Sequence, residues 1–170
     1  MQCEGAAMQT PAETSAASLV AGCRWLALAT IADSGTPSVS YAPFALVAGG
    51  FAIAVSRLSK HTADLTARPA ASVLLAADGA TPDAYARPRL AVEVTARSAP
   101  RDSAPSRAIW DALQERHGET VSILRRLPDF ETLTLEPEAG RLVAGFAAAH
   151  DLDAASLQRI LAAAASAERP

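Results

Sequence analysis

Apolar and polar positions alternate most strictly over residues 89–98 (RLAVEVTARS), where Leu90, Val92 and Val94 share one face. Looser alternation with more apolar content predicts strands over 24–32, 37–47, 51–56 and 71–77. Asp33, Ser34 and Gly35 punctuate the first two of these, and Gly49 and Gly50 the next two, both with turn chemistry. Residues 130–135 (FETLTL) alternate again, and 141–146 (RLVAGF) extend or pair with them after a predicted turn over 136–140. Helical spacing takes over elsewhere. It predicts a helix over 12–22, with Leu19 and Val20 following Thr14 and Ser15 as capping residues. Two helical pieces follow within 102–127, where Ile109 and Leu113 stand four apart, Gly118 interrupts, and Val121, Leu124 and Leu127 recur. A last stripe of Leu157, Ile160 and Leu161 begins after Asp153 as cap. Residues 78–87 carry no periodicity and read as a loop.

Six strand-like segments without strand–helix repetition argue against a doubly wound parallel sheet and for a small, mainly β antiparallel barrel with flanking helices. At 170 residues, half of them hydrophobic, residues 1–170 can bury one core as one domain, with a flexible tail over 1–10 and a C-terminal helix over 153–170. A formal net charge of −3 lacks the basic excess of a protein that grips nucleic-acid phosphates, so no nucleic acid is expected as partner. Neither a signal peptide nor an apolar run of membrane length is read in the chain, which makes the cytoplasm the expected compartment and a membrane no partner. Cys3 and Cys23 have no metal-type spacing, and Cys23 reads as a small buried hydrophobe.

The chemistry concentrates in SRLSKHTADLTARP, residues 56–69. Arg57, Ser59, Lys60, His61 and Thr62 crowd one turn directly after the 51–56 strand. A short helical pattern with Leu65 and Ala67 follows, offering unpaired backbone N–H groups at its start, where the helix dipole favours a phosphate. Lys60 is the only Lys in the chain, so the cluster is not drawn from an abundant pool. The plainer alternative is a loop flanked by Arg57 and Lys60. With no Gly-rich dinucleotide fingerprint and no P-loop, such a site suits a mononucleotide, for example a flavin phosphate. On the second strand Ser38, Ser40 and Tyr41 are placed toward a ligand face and Val39 toward the core.

The succession LATIADSGTPSVSYAPFAL, SRLSKHTADLTARPAASVLL, RLAVEVTA, LPDFETLTLEP and GRLVAGF resembles the pyridoxamine-phosphate-oxidase-related split barrels, and within them the haem-utilisation branch. The resemblance implies a six-stranded antiparallel split β-barrel, a homodimer, and a small-molecule site between protomers with FMN as the common cofactor. It places Arg57, Ser59, Lys60 and His61 at the turn that holds the FMN phosphate. It also sets Ser38, Ser40 and Tyr41 on the isoalloxazine side, and Arg89 at the start of a strand that closes the site.

Haem-binding members of that branch imply an iron ligand. Of three histidines, His61 belongs to the turn and His117 reads as a solvated helix-end residue, leaving His150 as the candidate metal ligand, and the resemblance makes Asp129, the acidic residue of the LPDF segment, able to orient it across the dimer. From the resemblance the expected function is an FMN-dependent oxidoreductase of unassigned substrate in which the flavin carries the redox chemistry, and the lack of a Ser/His/Asp order, metal cluster or carboxylate pair in the sequence agrees with it. Haem binding or degradation stands as the alternative, and a cofactor-free binding module as a third reading.

Overall fold

The computed structural model describes residues 10–77 and 83–167. All but Thr10 of the expected N-terminal tail, residues 78–82 of the predicted loop, and 168–170 of the predicted last helix lie outside the described residues.

Helix α1 (Pro11–Gly22) starts earlier than Thr14 and Ser15 suggested. Thr10 Oγ1 accepts from Glu13 N at 3.2 Å while Glu13 Oε2 accepts from Thr10 N at 2.8 Å, a capping box with Pro11 at the first helical position. Strand β1 (Trp25–Ile31) forms a hairpin with β2 (Pro37–Val47), and β3 (Gly50–Ser56) continues the meander. After α2 (Lys60–Ala67), β4 (Ala70–Ala76) returns to the free side of β1 and pairs with β5 (Arg89–Ala99). Helices α3 (Ala104–His117) and α4 (Glu119–Arg126) then lead into β6 (Phe130–Gly145), β7 (Ala148–Asp153) and α5 (Ala154–Ala167).

All pairings are antiparallel in the order β3-β2-β1-β4-β5-β6, and a β3–β6 pairing closes the six strands into a barrel, with β7 added on β6. The expected turn over 136–140 is instead the middle of one 16-residue strand. Its sequence EPEAG imitates a turn because this is where β6 changes partners: residues up to Leu135 pair with β3, and those from Ala139 onward pair with β7. Between them Pro137, which has no N–H to donate, faces no strand on that edge, and a bulge at Glu93/Val94 absorbs Glu138. This is the split in the barrel. Strand β7 was not anticipated.

Leu26, Leu28, Phe44, Phe51, Ile53, Leu90 and Leu135 fill the interior, and α1 and α5 cover the split through Val20, Leu157 and Ile160. A second apolar cluster joins Ile109, Trp110 and Leu113 of α3 and Val121 of α4 to Ala45 and Ala52 on the outside of β2 and β3. Asp153 caps α5 as expected, accepting from Ser156 N at 2.8 Å. Cys23 is buried, its thiol against Ala76 O at 3.4 Å. His117 is half-buried rather than solvated, donating from Nε2 to Phe44 O at 2.8 Å when that nitrogen carries the proton.

Glu13, 3% exposed, also ties α1 to α5 by accepting from Arg159 at 2.6 and 3.1 Å. The Thr10 backbone N–H, and after it Arg159, hold its carboxyl below the ordinary value of 4.5. A group with a depressed folded pKa stabilises the fold above its unfolded pKa and loses that contribution as pH falls through the folded one. The melting temperature of Glu13→Gln is therefore expected to fall below wild type at pH 7, with the gap narrowing as pH drops below 4.5. Thermal melts across that range check it, and a gap independent of pH would rule out the charged contact.

Candidate functional site

The barrel delivers the basic turn as the sequence predicts. Strand β3 ends at Ser56, and α2 opens at Lys60 with Ser59 as cap residue, so Arg57, Ser59, Lys60 and His61 share one turn. Ser59 N donates to Ser56 O at 2.9 Å and Thr62 Oγ1 to the same carbonyl at 2.7 Å, which folds the turn tightly; the Ser59 side chain caps nothing. Helix α2 is fixed from below by buried Asp64, whose Oδ2 accepts from buried Thr30 Oγ1 at 2.7 Å. Burial of His61 pushes its imidazole below the ordinary 6.5, partly offset by the Asp64 carboxylate.

Much of the turn's bonding capacity is directed at the loop before β6. Arg57 donates from its backbone N to Asp129 O and from Nη2 to Pro128 O, each at 2.8 Å. Ser56 Oγ donates to Asp129 Oδ2 at 2.6 Å and accepts from Leu58 N at 3.1 Å. Arg101 holds the same loop from its other side, donating to Leu127 O at 3.2 Å and Pro128 O at 3.1 Å. Lys60 alone among the four turn residues keeps an exposed cation without a described partner. Local sequence does not single out Ser56 or Arg101, since their partners lie 73 and 26 positions away.

The second strand departs from expectation. Ser38 pairs with Thr30 and Ser40 with Leu28, so both serines face inward, half-buried, at the barrel end that α2 covers. The Ser40 hydroxyl is buried without a partner. Val39 and Tyr41 point outward instead, at 75% and 69% exposure, so Tyr41 does not join the serines and Val39 does not enter the core. Counting back by twos from buried Phe44 and Ala42 would have assigned these faces.

Tyr41 belongs to an outer sheet face with Trp25, Ile31, Val39 and Leu74, all exposed large hydrophobics. Trp25 and Tyr41 meet edge to face with ring centroids 6.0 Å apart. Arg89 shares this face beside Ala76, which lines a shallow cleft with Trp25 and Leu74. It stands at the opposite end of β5 from Ala99, roughly 33 Å along the strand by rise per residue, so within the chain it does not close the basic turn. Arg141, farther along the same face, pairs with Asp151. His150 is exposed on β7, in register with Leu142, and so projects from the sheet side opposite Arg141 and Tyr41. Within the chain His150, the basic turn and the apolar face are three separate places.

A groove of about 640 Å³ opens at the β2–β3 hairpin end, between α3 and α5. None of the sequence-derived candidates lines it. Its two arginines cap neighbouring elements: Arg24 donates to Arg116 O, and Arg116 to Cys23 O while its guanidinium lies 4.7 Å over the Phe44 ring. Among the described residues no group of three His, Cys, Asp or Glu side chains is arranged to hold a metal, and no helix is long and apolar enough to cross a membrane.

An antiparallel six-stranded barrel, closed by β3–β6 and opened where β6 exchanges partners, is a split barrel. Its sequence matches the family model for pyridoxamine 5'-phosphate oxidase over residues 12–144, and the chain belongs to that family. Within the family it stands close to HutZ. The heme oxygenase HutZ of Vibrio cholerae is 34% identical over 128 residues, 75% of this chain and 73% of HutZ. The crystal structure of HutZ, there described as a heme storage protein, superposes with a TM-score of 0.70 at 30% identity, covering 77% of this chain and 92% of that one. ChuZ of Campylobacter jejuni superposes at 0.78 with 26% identity, over 88% of this chain. A heme binding protein of Mycobacterium smegmatis superposes at 0.81 with 21% identity over 89% of this chain, a likeness of fold alone. The chain spans 62% of the length of each of the last two structures.

Proposed function

We propose that the protein binds haem and acts in haem utilisation, in place of the flavin oxidoreductase expected from sequence. The carrying observation is the outer face: an apolar sheet surface of Trp25, Tyr41, Val39 and Leu74 bordered by exposed Arg89. A flat apolar macrocycle with carboxylate arms matches such a surface, since the rings bury apolar area and guanidinium groups take carboxylates. The 34% identity to a heme oxygenase supports the same ligand class. An exposed apolar face of this extent also suits a homodimer that buries it.

His150 offers an imidazole nitrogen, a ligand iron accepts readily. Because it projects from the other side of the sheet, it reaches a haem on the outer face only from a second protomer. Bound haem supplies the iron chemistry, and the protein's part is to bind and orient it.

Titration of purified protein with haemin tests the reading. Saturable binding with a sharp Soret band is expected, and His150→Ala should weaken and shift that band. Val39→Glu combined with Tyr41→Glu should yield a monomer in sedimentation and abolish the Soret titration. Absence of saturable haemin binding in wild type sinks the proposal. Tight FMN uptake in its place would return the oxidoreductase reading, and uptake of neither would favour a cofactor-free module.

A further inference from the structure

We infer that Ser56, Arg57 and Asp129 form a latch that occupies the phosphate-type turn from within and deprives the protein of a preference for phosphate-bearing over phosphate-free flavins. The inference takes its ligand class from the haem reading and deepens it, since it explains how a turn of phosphate-site composition coexists with a different ligand. A phosphate at the start of α2 requires donors turned toward it and no anion beside it. Here the Arg57 guanidinium is directed to Pro128 O, and that carbonyl also receives Arg101. The Ser56 hydroxyl is committed to the Asp129 carboxylate, and the Thr62 hydroxyl to Ser56 O. Leu58 N and Ser59 N, two of the amides nearest the turn, bond Ser56 Oγ and Ser56 O.

Asp129 adds the second element. Its carboxylate sits one hydrogen bond from the turn, at 2.6 Å from Ser56 Oγ, so a phosphate carrying close to two negative charges would meet a like charge there. Lys60 and the first amides of α2 oppose that repulsion, but they lack the guanidinium that would grip the phosphate in two places. The latch therefore uses the residue types of a phosphate site to tie β3 to the loop before β6.

FMN and riboflavin differ by the phosphate alone, so the ratio of their affinities reads this turn directly, whatever haemin does. Flavin fluorescence quenching on wild type should show no tenfold preference for FMN, absence of binding by both counting as no preference. Asp129→Asn keeps an oxygen for Ser56 while removing the charge. It should raise FMN affinity over riboflavin by at least about tenfold, the scale of one charge-assisted hydrogen bond. A wild type that already prefers FMN tenfold overturns the inference. So does an Asp129→Asn protein that melts like wild type yet gains no preference. Should that variant fail to fold, Asp129→Ser removes the same charge with a smaller side chain and is held to the same criterion. Failure of the haem reading leaves these ratios untouched, so the two ideas fall separately.

Discussion

Replacing Gly50 with Ala is expected to destabilise the fold by about 3 kcal/mol, at the upper end of what forced overpacking costs. A Cβ at this position would stand 2.1 Å from Leu135 O and 2.9 Å from Leu135 C. Those atoms are backbone of β6, at the last rung where β3 and β6 are hydrogen-bonded to close the barrel. Relief by a rotamer change is unavailable, and moving the strand would strain the Phe51–Leu135 pair beside it. Gly22, by contrast, ends α1 with nothing within 4 Å of an added Cβ. Alanine there should be neutral or stabilising by roughly 0.5 kcal/mol through helix propensity. Urea midpoints for both variants check the contrast, and equal midpoints would refute the proposed clash.

Phe44→Ala should cost about 3–5 kcal/mol, the range for truncating a buried aromatic. The Phe44 ring is fully buried and meets Phe51 edge to face at 5.6 Å and 76°, with the Arg116 guanidinium 4.7 Å over its centroid. Its carbonyl receives His117, so this one residue links the barrel interior to the end of α3. Truncation removes the ring on which Arg116 of α3 rests, so hydrogen exchange should rise in α3 before it rises in β5. A loss under about 1 kcal/mol in denaturant would show that the interior collapses around the missing ring.

The sequence made legible what depends on local period. Leu90, Val92 and Val94 alternate, and all three are buried on one face as read. The basic turn was found because its residues are neighbours in the chain. Strand β7, AAHDLD, has no β-branched or aromatic residue and becomes a strand because the free edge of β6 supplies a partner. The roles within the turn escaped for a related reason. Arg57 and Ser56 have the chemistry of phosphate ligands, and only contact with Pro128 and Asp129, more than seventy positions away, shows where their hydrogen bonds go. Cofactor class was the least legible, because donors that suit FMN and an imidazole that suits iron occur in the same chain without any indication of which lie together.

Strand β6 has a consequence for how the molecule comes apart. Its first half completes the closed barrel and its second half carries β7 and the surface on which α5 lies. Both parts draw on one continuous strand, so loss of β6 from β5 would undo them together. Heat should therefore produce a single calorimetric endotherm, and a protease able to nick the chain near Pro137 would sever both halves of the molecule in one cut.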